Sequence, residues 1–212
     1  KDDAFENPIL LDIVNVTSSK ENQYDLPFYY FGQVMSTNFK YNTPKELKPL
    51  GTNNGYQHLW NEGVGNSTNN NAKLSWFHKE RFYTLTTVVN EKDDLIFTRI
   101  GANDPDFNLR NDPGFIIRKK NNKNAQFVSV IESHGHYSPV TEVATNAFSS
   151  IKNIAIVLSN ENYIAVSIET IDGKMKLIVV SLKDAAKDKK HNVILEGKSV
   201  EWTGAYHFNN LK

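Results

Sequence analysis

The stretch Arg81-Phe-Tyr-Thr-Leu-Thr-Thr-Val-Val89 decides the fold class. It is rich in β-branched and aromatic residues and alternates with period two. Phe82, Thr84, Thr86 and Val88 share one face; Tyr83, Leu85, Thr87 and Val89 share the other. Both faces are at least half apolar, which places this strand inside a stack of sheets rather than at a solvated surface. Immediately upstream, Lys73 to Phe77 has the same character, and His78-Lys79-Glu80 between them reads as a short hairpin connection.

The pattern extends outward in both directions. Ile9 to Val16, the aromatic Pro27 to Phe31, and Leu95 to Phe97 read as strands. So do Phe115 to Arg118 and Phe127 to Glu132, separated by a polar turn at Lys119 to Asn124. Ile154 to Leu158, Tyr163 to Ile168 and Lys174 to Leu182 form a meander, with turns at Ser159–Asn162 and at Asp172-Gly173, a strong hairpin signal. Val193 to Leu195 and Ser199 to Trp202 close the chain around Glu196-Gly197. Leu182 to Lys190 hints at helix but lacks an apolar stripe, and Lys45 to Lys48 is a weaker hint. The expected architecture is one all-β domain over residues 1–212, antiparallel sheets stacked as a β-sandwich or supersandwich, with fewer than about a tenth of residues helical. Ile9 to Val16 is the expected edge strand, open to pairing with a second copy.

Composition narrows the function classes. The 24 Lys and Arg balance the 24 Asp and Glu, so no global field draws nucleic acid or a polyanion. Any acidic ligand must be held by a few placed cations. There is no cysteine, which excludes a disulfide framework and thiolate metal sites. No apolar run is long enough to span a bilayer. The chain starts at Lys1 rather than Met, which fits a processed or partial product. The asparagine-rich runs Asn69–Asn71 and Asn121–Asn122 read as turn preference and codon bias.

Several groups are candidates for chemistry. The run Arg99-Ile-Gly-Ala-Asn-Asp-Pro-Asp-Phe-Asn-Leu-Arg110 reads as a strand entering a long ordered turn. Arg99, Arg110 and Arg118 offer the planar fork that grips carboxylates, against the plainer role, for Arg99 and Arg110, of pairing with Asp104, Asp106 or Asp112 to hold the turn. Asp104 and Asp106 suit backbone hydrogen bonding better than acid/base work. Tyr56, Trp60 and Tyr206 are the aromatics to check for exposure as sugar-stacking platforms. His134-Gly135-His136 places two histidines at i, i+2, so both would face one way on a strand. They are weak candidate metal ligands, with Glu132 or Glu142 as a third, against a surface loop where the strand ends at Gly135.

The Arg99–Arg110 run, followed by Phe127-Val-Ser-Val-Ile-Glu-Ser-His-Gly-His-Tyr137 and Glu142, resembles the C-terminal β-domain of polysaccharide lyase family 17, the oligoalginate lyases of the heparinase II/III-like group. Further support comes from Pro8–Val16, Gln23-Tyr-Asp-Leu-Pro-Phe-Tyr-Tyr-Phe-Gly-Gln33, Tyr56-Gln-His-Leu-Trp60 and Arg81–Thr84. The resemblance implies a preceding helical toroid, an acidic polysaccharide partner such as alginate, and secretion or periplasmic residence. It implies β-elimination on a uronate by Tyr, His and Asn of the toroid and a His early in the β-domain. None of those motif positions occurs here, so no catalytic residue is assigned to this chain. A structural zinc is implied for the upstream part and no cofactor for this chain; the later position of His134 and His136 argues against transferring zinc ligation to them. Substrate contacts are expected from Arg99, Arg110, Tyr56 and Trp60. The rival readings are a free-standing acidic-carbohydrate-binding module and a purely structural interaction domain.

Overall fold

The computed structural model describes residues 4–101, 111–195 and 197–210. The first strands are β1 (Ile9–Tyr29), β2 (Gln33–Thr37), β3 (Lys40–Asn42), β4 (Leu59–Asn66), β5 (Asn71–His78), β6 (Arg81–Val88) and β7 (Asp94–Ile100). They are followed by β8 (Pro113–Ser138), β9 (Val143–Thr145), β10 (Ile151–Ser159), β11 (Tyr163–Thr170) and β12 (Met175–Ser181). The last are β13 (Lys190–Leu195), β14 (Lys198–Thr203) and β15 (Tyr206–Asn210). A three-residue 3₁₀ turn, Tyr56–His58, is the sole helical element among the described residues. The fold is all-β and antiparallel, as the alternation predicts.

Two strands are longer than the sequence reading has them. Phe115–Arg118 and Phe127–Glu132 are not separate; they belong to the single 26-residue strand β8. Ile9–Val16 and Pro27–Tyr29 likewise merge into the 21-residue β1, which pairs with β8 along its length. The polar run Lys119–Asn124 is a crease rather than a chain reversal. Opposite it, β1 slips register between Thr17 and Asn22 and again before Tyr24, and Asn121 takes φ 55. Such bulges bend a ribbon without ending its pairing. The residues there are polar because most of them are exposed at the bend, and that polarity imitates a turn.

The crease doubles the first sheet over on itself. On one edge β8 pairs with β7 through Pro113–Arg118 and with β6 through Ser129–His136. On the other edge it holds β1 throughout, and among the described residues β1 pairs along that side only. One half therefore carries β6, β5 and β2, the other β7, β4 and β3. Between the halves lies a core of Leu74, Leu85, Leu95, Phe97, Phe115, Ile117 and Phe127. The odd-numbered Phe115, Ile117, Ala125 and Phe127 of β8 face this core. Even-numbered Val128 and Val130 face a second one, with Ile151, Ile154, Ile164, Val166 and Ile168 of the four-stranded sheet β10-β11-β12-β15. A third core of Ala165, Leu177, Val179, Val193, Leu195 and Trp202 joins that sheet to the β13–β14 hairpin. The order is thus four layers with three apolar seams. Burying one aliphatic side chain contributes about 1.5–3 kcal/mol, so each seam is a substantial contribution.

Arg81–Val88 behaves as its alternation requires. Leu85 lies in the first core and Val88 packs against the second. The Lys79-Glu80 turn has φ 47 and 63, so both central residues are left-handed, the geometry of a tight hairpin. Lys45–Lys48 and Leu182–Lys190 form no helix.

Asparagine does more than turn the chain. The buried Asn71 side chain accepts from Ile154 N at 2.7 Å and donates to Ile154 O at 2.9 Å. Its amide imitates a backbone unit and joins the first sheet to the second. Asn38 does the same for β5, accepting from Lys73 N at 2.6 Å and donating to Asn71 O at 3.0 Å.

Candidate functional site

The sequence-selected residues fall in separate places. Arg99 and Trp60 are direct partners across β4 and β7, at the end of the half-sheet that carries β3. β4 bulges between Asn61 and Gly63, and the extra residue is Glu62. Its carboxylate meets Arg99 in a two-pronged pair: Nε donates to Oε1 at 2.5 Å and Nη2 to Oε2 at 3.2 Å. Nη1 also donates to Asn111 O at 3.4 Å. Arg99 is therefore held by a glutamate from β4, a partner the sequence reading did not consider. Arg110, Asp104 and Asp106 lie outside the described residues.

This ion pair lines one side of a groove of about 330 Å³. Tyr30, Gln33, Tyr41 and Phe97 complete the relevant wall. Tyr30 is buried, and its phenol is pushed up to about 12, first by loss of solvent and then by the charge of Glu62. It stays protonated at any ordinary pH. Tyr41, on the short strand β3, is 43% exposed and packs against Phe97 with ring centroids 4.7 Å apart. Gly63 and Gly65 of β4 make this possible. A Cβ on Gly63 would lie 2.9 Å from the Tyr41 ring, and one on Gly65 2.3 Å from Lys40 O. Two glycines alternating in a strand mark the close approach of a neighbour, a further sequence signal for this place beside Arg99 and Trp60. Glu62, Tyr30 and Tyr41 were missed because no local motif joins them; the bulge and the β3–β4 pairing do.

Tyr56 belongs to a different cluster. Its hydroxyl donates to Asp25 Oδ2 at 2.6 Å. Asp25 receives Arg118 through Nε at 2.9 Å and Nη2 at 2.7 Å. The Arg118 guanidinium lies 5.9 Å from the Tyr56 ring centroid. Burial, then the bond to Asp25, raises the Tyr56 phenol above its usual value. Arg118 is raised chiefly by its bond to Asp25. This triad pins the 3₁₀ turn onto β1 and β8. Tyr206 is 66% exposed, and Tyr29, in the aromatic strand read at Pro27 to Phe31, is 54% exposed.

The two histidines do not share a face. β8 continues through Gly135, which is a bulge at φ 57: Phe82 pairs with His134 and Arg81 with His136. The extra residue removes the i, i+2 relation that a common metal needs. His134 is buried in the strand rather than in a surface loop, and both ring nitrogens are engaged, with Thr84 Oγ1 at 2.8 Å and Asn146 O at 2.9 Å. His136 is exposed. The buried Glu132 accepts from both hydroxyls of Ser149 and Ser150 and from Ser150 N. Glu142 sits in a turn at φ 55. No cluster of three metal-ligating side chains occurs among the described residues.

A larger cleft of about 570 Å³ opens between the β13–β14 hairpin and the β12–β15 edge, lined by Leu177, Lys198, Glu201, His207 and Asn209 among others. No helix among the described residues is long and apolar enough to cross a membrane.

No family model matches the chain. Individual proteins do. It is 33% identical over 205 residues to a protein of Saccharophagus degradans named exo-oligoalginate lyase; the match covers 95% of this chain and 28% of that protein. It is 30% identical over 200 residues to an alginate lyase of Stenotrophomonas maltophilia, covering 94% and 27%. The chain thus spans little more than a quarter of the length of the curated relatives it matches. Along nearly all of its own length, the chain is a homologue of one portion of proteins named as alginate lyases.

Proposed function

We propose that this chain forms the β-sheet module of a uronate polysaccharide lyase that acts on alginate oligosaccharides, bracing a catalytic domain and forming one wall of its cleft. The observation that carries the reading is the 33% identity sustained over 95% of the chain. The reaction of such an enzyme is β-elimination: the C5 carboxylate is neutralised, a base takes the C5 proton, and an acid protonates the departing O4. The side chains here suit support better than proton transfer. Tyr30 and Tyr56 are both raised, so neither is poised to accept a proton near neutral pH. The ring nitrogens of His134 are spent inside the fold. A polymer substrate fits work in the periplasm or outside the cell.

Mass analysis of products tests the reaction class. The complete gene product, given alginate oligosaccharides, is expected to release fragments carrying a terminal unsaturated uronate, lighter by one water than hydrolytic fragments. Hydrolytic products, or no cleavage of any uronate polymer, would overturn the proposal.

A further inference from the structure

We infer that the groove of Tyr30, Gln33, Tyr41, Glu62, Phe97 and Arg99 is a glycan-binding site that reads the hydroxyl edge of a pyranose rather than a carboxylate. The argument begins with charge. Arg99 and Glu62 neutralise each other through two bonds, so among the described residues the groove offers no free cation at this point. A carboxylate entering here would face Glu62 and would have to break the pair. A vicinal diol has the opposite requirement. Each hydroxyl both donates and accepts, and a guanidinium beside a carboxylate presents donors and acceptors side by side. The pair is about a third exposed, 35% and 30%, so its outer edge is reachable.

The rest of the groove fits the same ligand. Tyr41 presents an exposed ring, braced by Phe97 at 4.7 Å and by the space over Gly63. An aromatic face held in place stacks on the apolar C–H face of a sugar ring at little cost in side-chain entropy. Tyr30 keeps its proton, so it adds a neutral hydroxyl, and the exposed Gln33 adds a carboxamide at the rim. At about 330 Å³ the groove suits a mono- or disaccharide unit of a longer chain. The inference does not depend on the lyase reading, because it concerns recognition by this chain alone.

Chemical-shift titration of the isotope-labelled 212-residue chain tests it, with a neutral mannotriose and a mannuronate trisaccharide as probes. Both are expected to perturb the amides of β3, β4 and β7. Their Kd values should agree within about threefold and change less than about twofold between about 50 and 500 mM salt, because no net charge is engaged. Tyr41→Ala and Glu62→Gln should each weaken binding about tenfold, with the dispersed spectrum retained. Gln33→Ala, an exposed change that cannot unfold the sheet, should weaken it about threefold. The inference fails if only the uronate binds and salt abolishes it. It fails equally if Glu62→Gln tightens uronate binding by freeing Arg99, or if neither sugar moves these amides at millimolar concentration.

Discussion

Glycine 135 shows how a single residue sets the geometry around it. At φ 57, a Cβ there would meet Thr145 O at 2.2 Å and Asn146 O at 2.1 Å. Gly173 also has positive φ, 82, but nothing lies within 4 Å of its missing Cβ. Gly135→Ala should therefore cost about 3 kcal/mol or more through strain and clash, and Gly173→Ala about 1 kcal/mol through backbone strain alone. Urea denaturation of the two variants checks the ordering; equal losses would contradict it. Sequence showed Gly135 as a break and His134-x-His136 as a pair. Both readings failed for one reason: a bulge is set by the partner strand, which local pattern does not reveal. Tyr30 carries a pH signature. Its raised phenol stabilises the fold fully below pH 10, and that stability is lost as pH rises toward 12, because the unfolded chain gives up its proton first. Tyr30→Phe should flatten the fall in stability across that window. An unchanged difference between pH 9 and pH 12 would show that Tyr30 is not desolvated in this way.

At the scale of elements, period-two alternation made the central strands legible. It found β5, β6, the β10–β12 meander and the β13–β14 hairpin. Length was not legible. β1 and β8 read as two strands each because their polar crease looks like a turn, and only the partner shows that pairing continues across it. The short strands β2, β3, β9 and β15 were missed, since three to five residues carry too little pattern, and so was the eight-residue β4, whose Gly63 and Gly65 break its alternation. Among the described residues the β13–β14 hairpin pairs only with itself, and it packs on the rest through the third core. Trp202, 8% exposed, stacks on His191 and contacts Tyr163. Trp202→Ala should cost about 3–5 kcal/mol locally. It should also raise hydrogen exchange in β13 and β14 before β8. Exchange rising equally in β8 would show that the layers unfold as one. A similar contrast applies to the Tyr56–Asp25–Arg118 triad. Asp25→Ala leaves Arg118, 13% exposed, without its carboxylate and should cost about 3 kcal/mol, while Tyr56→Phe should cost about 1 kcal/mol.

For the whole molecule, stacked layers follow from strands that are apolar on both faces, which require a covering sheet on each side. The candidate groove was only partly legible: Arg99 stood out, but Glu62, Tyr30 and Tyr41 converge on it through a bulge and a three-residue strand. The relationship to polysaccharide lyases was legible through resemblance, and the similarity over 95% of the chain to a protein named exo-oligoalginate lyase agrees with it. The central claim is that this chain supports uronate elimination but does not carry it out alone. Absorbance of the C4–C5 double bond formed on elimination, conjugated with the carboxylate, tests this most directly, measured with alginate oligosaccharides for the 212-residue chain and for the complete gene product side by side. The account predicts a steady rise for the complete protein and a flat trace for the chain alone. Sustained turnover by the isolated chain, or a flat trace from the complete protein, would contradict it.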